Sequence, residues 1–222
     1  MSHRPVGIID VGSNSIKLLI AEQSNEGPIS SLLFEVEEIR IGEGMTGSPP
    51  VIEACAIEKG TQAIARLHDL AKTHDLASLR IVATSAVRDA SNREAFIESV
   101  ENATGLRLEV LSGSQEARLI GKGLRCDPEL SHLSSYSLLD LGGGSMECIL
   151  FKDGTVSSAS SLNLGAVRLA SKFITDRSRA LAANEAESIR NHVVETFAVA
   201  GIESNSSPSK AAVLTGGTAS IL

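Results

Sequence analysis

The chain has 222 residues and a formal net charge of −7; 42% of residues are hydrophobic and 21% charged, the balance of a globular protein able to bury a core in one large domain or two small ones. The acidic balance counts against broad attraction to nucleic acid or to a membrane surface. Aromatic residues at 3% with no Trp remove the stacking platforms that single-stranded nucleic-acid binders use.

In chain order, the opening MSHRPVGIIDVGSN has no long apolar stretch before its first polar motif, so it is not read as a signal peptide. No run approaches the roughly 20 apolar residues that span a bilayer, and a cytoplasmic location is expected. A β-branched run over 6–9 stops at Asp10, GSNS turns, and 16–21 is apolar again, which predicts strand, tight turn, strand. A third strand is expected near 32–39. The stretch 42–50, with three Gly and two Pro, is loop. Ile57, Ile64, Leu67, Leu70 and Ala71 fall at helical spacing and predict a helix over 52–74. A buried strand follows at 79–83, then a helix over 92–102 with Gly105 just past its end. A strand over 106–111 and a short helix over 114–122 close this half.

A second round then begins: strand 136–141, turn 142–145, strand 146–151, hairpin turn at Lys152-Asp153-Gly154, and strand 155–160. Helices are expected over 166–175 and 184–199, and a last strand over 211–214 runs into TGGT at 215–218. The layout of apolar strand, Asp, one residue, Gly, small polar residues and apolar strand thus occurs twice, after Ile9 and after Leu139. Two lobes of similar topology are expected, 1–123 and 124–222. The second reads as incomplete, because the apolar end Ser220-Ile221-Leu222 stands where a helix would begin. Cys55, Cys126 and Cys148 form no CxxC pair and read as ordinary thiols.

Sharp turns between strands expose consecutive main-chain N–H groups, and Gly permits the torsions and close approach that such an anion nest requires. DVGSNS (Gly12, Ser13, Asn14, Ser15) and DLGGGS (Gly142, Gly143, Gly144, Ser145) both have that character. Read singly, either is equally well a hairpin turn with an Asp at its start. Together with Gly216, Gly217 and Thr218 of TGGT they point to a phosphate chain gripped from two sides. Asp140 and Glu147 lie seven residues apart across a turn that sets their strands side by side. Their carboxylates can converge on one Mg²⁺ or Mn²⁺, with Asp10 a further ligand. Each Asp is as readily a turn cap. Arg88 and Arg93, with Asn92, flank a loop suited to clamping phosphate oxygens; the plain alternative is solvated surface arginines.

DVGSNSIKLLI, ATSAVRDASNREAF, LSGSQEARLI, LLDLGGGSMECIL, NLGAVRL and VLTGGT occur in this order over nearly the whole chain. Together they resemble the exopolyphosphatase and guanosine pentaphosphate phosphohydrolase family, Ppx/GppA, of the actin, sugar-kinase and heat-shock ATPase superfamily. The resemblance implies an α/β fold of two actin-like, ribonuclease H-like lobes with mixed sheets flanked by helices. It implies metal-dependent removal of a terminal phosphate from polyphosphate or guanosine pentaphosphate, with Asp140 and Glu147 at the acidic positions. It also places the catalytic base at Glu116, which on its own reads as a first-turn glutamate complementing a helix dipole. The chain departs from the family in carrying Gln115 where a second glutamate is usual. A phosphate-chain sensor and an ATP-dependent kinase-like member are the alternatives; a homodimer is a possible assembly.

Overall fold

The computed structural model describes residues 4–23, 27–45, 48–130, 132–202 and 211–219; the chain end at 220–222 lies outside them. The chain divides into two compact units, Met1–Ser112 and Gly113–Leu222.

The first unit is built on β1 (Val6–Val11), β2 (Ile16–Gln23), β3 (Ile29–Glu37), β4 (Ser78–Ala83) and β5 (Leu108–Val110), in the order β3-β2-β1-β4-β5. β1 runs antiparallel to β2 and parallel to β4. The parallel partner needs a crossover, supplied by α1 (Ala54–Lys72), whose buried stripe is Gly60, Ala63, Ile64, Leu67, His68 and Ala71. Two further helices follow β4: α2 (Ser85–Asp89) and α3 (Arg93–Thr104). Gly60 is a glycine because α3 comes close. A Cβ there would lie 3.1 Å from the Phe96 ring. α3 ends on Gly105 in the left-handed conformation, φ 72, as its position past the helix predicts. The core is aliphatic apart from Phe96.

The second unit begins with α4 (Gly113–Leu124) and carries β6 (Tyr136–Leu141), β7 (Met146–Lys152), β8 (Thr155–Leu162), α5 (Ala166–Phe173), α6 (Ala183–Val199) and β9 (Ala212–Thr215). Its sheet order, β8-β7-β6-β9, repeats the β3-β2-β1-β4 portion of the first. The sheet is covered on both faces. On one, Ala117 of α4 joins Tyr136, Leu138, Ile149 and Phe151, with the Tyr136 and Phe151 rings stacked at 4.3 Å. On the other, Cys148, Leu162 and Leu164 meet Leu169, Val193 and Phe197 from α5 and α6. α4 therefore belongs to the second unit, and the expected boundary at Gly123 moves to Ser112. The reason is the small-residue face Gly113, Ala117, Gly121, which lets α4 lie close on this sheet. A Cβ on Gly121 would sit 3.2 Å from Val156.

The expected α/β architecture of two actin-like lobes with mixed sheets and flanking helices is what the chain adopts. Among the described residues no helix is long and apolar enough to cross a membrane.

Candidate active site

Four polar side chains lie in one row across the second sheet. Glu147 opposes Asp140 across β6–β7, Ser161 opposes Glu147 across β7–β8, and Thr215 is in register with Asp140 across β6–β9. Paired residues share a face, with antiparallel Cβ atoms about 4.5–5.5 Å apart. Alternation from buried Leu138 and Ile149 puts that face on the α4 side. The two carboxylates are therefore neighbours by strand register. Glu147 is 2% exposed, and the Ser161 hydroxyl donates to its Oε1 at 2.7 Å. The Thr215 hydroxyl is buried without a hydrogen-bond partner. Burial, then the Glu147 charge, push the neighbouring Cys148 thiol up to about 11, so it stays protonated and is no nucleophile at neutral pH.

The row ends β6 at the triple-glycine turn, and α5 sets the orientation of that turn. Ala166 N–H donates to Gly142 O at 3.0 Å, and Val167 and Arg168 N–H donate to Gly143 O at 2.8 and 3.2 Å. The Arg168 guanidinium donates through Nε to Gly144 O at 2.8 Å. In a planar trans peptide the carbonyl and the N–H point opposite ways. The N–H groups of Gly143, Gly144 and Ser145 therefore turn away from α5, as an anion nest requires. Gly165 makes this fit possible: a Cβ there would stand 2.3 Å from the Gly144 carbonyl carbon. The NLGAVRL segment shapes the turn, a role its sequence did not reveal. Gly216 is needed for a similar reason. Its φ is +98, and a Cβ would lie 2.4 Å from Asp140 Oδ1. Gly217 has open space around its Cα and Thr218 is half-buried.

Glu116 stands in the first turn of α4, half-buried, beside exposed Gln115. It is one position from Ala117, which is fully buried against the sheet. The start of α4 lies over Ser161: a Cβ on Gly113 would be 2.6 Å from Ser161 Cβ. Glu116, Asp140, Glu147, the Gly142–Ser145 turn and Gly216 thus all belong to the second unit.

The first unit repeats the turn with different surroundings. Gly12 N–H donates to Ser15 O at 3.0 Å, as Gly142 N–H does to Ser145 O at 3.1 Å. Asn14 is exposed and Ser15 half-buried. Ser13 differs from its expected use. Its hydroxyl is buried and 2.9 Å from the Ser85 hydroxyl, while its carbonyl accepts from Gly42 N–H at 2.9 Å. Its side chain anchors the turn to α2, and the turn can offer its main-chain amides with Asn14 and Ser15. Asp10 has Lys17 opposite it, where the second unit has Glu147, so within its own sheet it joins no carboxylate pair.

The expected loop holding Arg88 and Arg93 is partly helix, since α2 includes Arg88. Arg88 donates through Nη1 to Leu111 O at 3.1 Å, and Arg93 donates to Arg88 O at 3.4 Å, so the two are brought together. Asn92 has another task. Its Oδ1 accepts from Ile52 N–H and its Nδ2 donates to Ile52 O, both at 2.9 Å. The carboxamide pairs with Ile52 as a strand neighbour would and straps the 48–52 loop to α3. Phosphate binding is not what places it. Cys55 and Cys126 are exposed free thiols.

Two facing carboxylates with hydroxyl neighbours make an oxygen-only donor set that suits a hard cation. Magnesium is commonly held by one or two carboxylates and keeps several waters. Among the described residues no group of three or more His, Cys, Asp or Glu gathers as a cage. Asp140 and Glu147 are the residues that would hold a divalent cation in the magnesium manner.

Comparison with known proteins identifies the family of the chain. The Ppx/GppA phosphatase family model matches residues 19–218. Exopolyphosphatase 1 of Mycobacterium leprae is 33% identical over 171 residues, covering 77% of this chain and 50% of that protein. The guanosine-5'-triphosphate,3'-diphosphate pyrophosphatase of Pseudoalteromonas translucida is 32% identical over 177 residues, covering 76% of this chain and 33% of that protein. The chain thus spans half or less of the length of these curated relatives. The crystal structure of an exopolyphosphatase from Cytophaga hutchinsonii superposes with a TM-score of 0.88 over 97% of this chain and 67% of that one, at 23% identity, which shows a shared fold. With the family model matched over residues 19–218, the chain belongs to the Ppx/GppA phosphatase family.

Proposed function

We propose that the chain removes the terminal phosphate of inorganic polyphosphate or guanosine pentaphosphate by attack of water on the phosphoanhydride bond. The observation that carries this reading is the direct pairing of Asp140 with buried Glu147 beside a glycine turn whose amides face away from α5. The names of the two curated relatives support the substrate class.

In this reading the amides of Gly143, Gly144 and Ser145 bind oxygens of the terminal phosphate. The first unit's turn at Gly12–Ser15, with Arg88 and Arg93, supplies a second set of phosphate donors, and in the second unit Gly216, Gly217 and Thr218 border the substrate. Glu116 accepts a proton from water as its oxygen attacks phosphorus, and the bond to the bridging oxygen breaks. The bridging oxygen leaves with the electron pair and is protonated from solvent. Asp140 and Glu147 hold Mg²⁺, or Mn²⁺, which when bound neutralises phosphate charge. The fixed donors act on charge that develops in the transition state, which is where such groups contribute most.

Phosphate release from each substrate with Mg²⁺, compared between the wild type and E116Q, tests this. Loss of a positioned base costs about 10²-fold or more. An undiminished rate in E116Q removes Glu116 from the mechanism. Tight polyphosphate binding without turnover in the wild type indicates a sensor instead.

A further inference from the structure

Ser161 and Thr215 are the members of the polar row for which the proposed reaction has no role, and Ser161 is the one bonded to a carboxylate of the pair. We propose that it is a positioning residue, holding the Glu147 carboxylate and the start of the Glu116 helix in one fixed relation. The inference rests on the reading of Asp140 and Glu147 as a cation-holding pair.

Two separate contacts of one small side chain carry it. Through Oγ, Ser161 donates to Glu147 Oε1 at 2.7 Å. That length is ordinary for an O–H···O bond, and a hydroxyl on a carboxylate makes the stronger, charge-assisted kind when the carboxylate is ionised. Glu147 is 2% exposed, so water cannot readily replace the bond once it is lost. Strand register supports the contact, because Ser161 is the direct cross-strand partner of Glu147. Through Cβ, Ser161 meets the first residue of α4: the space a Gly113 side chain would need is occupied to within 2.6 Å by Ser161 Cβ. Glu116 follows Gly113 by three residues, less than one helical turn. A displacement at Ser161 therefore moves one carboxylate of the pair and the base together. Serine suits both contacts, being small enough to pass under Gly113 and polar enough to bond Glu147. Outer-shell partners of this kind orient ligating carboxylates, and their loss typically costs about 10–100-fold in metal affinity or activity.

The test uses the full chain as wild type, S161A, S161T, S161V and E147Q. Mn²⁺ affinity is read from water-proton relaxation, with thermal unfolding and polyphosphate kinetics alongside. Thr and Val match in shape and differ in the hydroxyl, so their comparison isolates the hydrogen bond even if S161A folds poorly. Expected are Mn²⁺ binding about 10–100-fold weaker in S161A than in the wild type and in S161V than in S161T, and in S161A a fall in kcat with KM for polyphosphate little changed. If S161A and S161V bind Mn²⁺ like the wild type while E147Q does not, Ser161 has no positioning role and the carboxylate pair stands. If E147Q also binds like the wild type, the pair reading fails and the inference fails with it.

Discussion

Replacing Gly165 by alanine adds one methyl group behind the glycine turn and leaves every proposed contact to substrate chemically intact. The new Cβ would lie 2.3 Å from the Gly144 carbonyl carbon and 2.4 Å from the Gly143 carbonyl carbon and oxygen. Carbon atoms settle about 3.5–4.0 Å apart, so one side must retreat by about 1 Å. Both sides are main chain, and α5 is fastened to the turn by amides from Ala166, Val167 and Arg168. No flexible side chain can absorb the shift. Overpacking of this kind costs about 1–3 kcal/mol, seen as a fall in Tm of about 2–4 °C for each kcal/mol. Misplacing phosphate-binding groups by about 1 Å costs on the order of 10²-fold in rate. Phosphate release from polyphosphate, measured well below the Tm of the variant, should therefore drop about 10²-fold with the protein still folded by circular dichroism. Wild-type turnover in folded G165A would show that α5 does not set the turn.

N92A should lose about 1–3 kcal/mol of stability by leaving the Ile52 backbone groups unpaired, with KM for polyphosphate unchanged; a raised KM at unchanged stability would restore Asn92 to the substrate site. Glu185 is held down at about 2 against an ordinary 4.5, first by Arg179, whose Nη1 and Nη2 bond its two oxygens, and next by the Ala182 amide. A carboxyl lowered on folding stabilises fully above its unfolded value and ceases to do so as pH falls through the folded one. The urea midpoint should therefore fall between pH 5 and about pH 2 by less in E185Q than in the wild type. Equal acid sensitivity in the two would show that the clamp does not stabilise the α5–α6 connection.

Much of the architecture was legible in the residues because short-range rules govern it. The apolar run ending in Asp10 and its counterpart ending in Asp140 each predicted strand, turn and strand, and each is an antiparallel hairpin in the register that alternation requires. Asp140 and Glu147 were foreseen as neighbours because a four-residue turn leaves little choice of pairing. The helix at Arg93–Thr104 and its Gly105 cap followed from start and stop signals. α2 is not legible in the sequence because five residues, SAVRD, carry too little periodicity to separate helix from loop.

What the chain alone could not show depends on contacts between distant segments. Ser161 in a serine-rich strand and Gly165 in NLGAVRL look ordinary until β8 is laid beside β7 and α5 behind the turn. Asn92 resembles a phosphate donor next to two arginines until Ile52, 40 residues earlier, takes both ends of its amide. Lys17 opposite Asp10, where the second sheet has Glu147 opposite Asp140, breaks the likeness of two turns that read alike in sequence. Local sequence determined the strands, the turns and the carboxylate pair, since dihedral preference and alternation act over a few residues. Tertiary structure decided which glycines are indispensable and which polar groups are already occupied, because steric exclusion and hydrogen-bond pairing are settled only when remote segments meet.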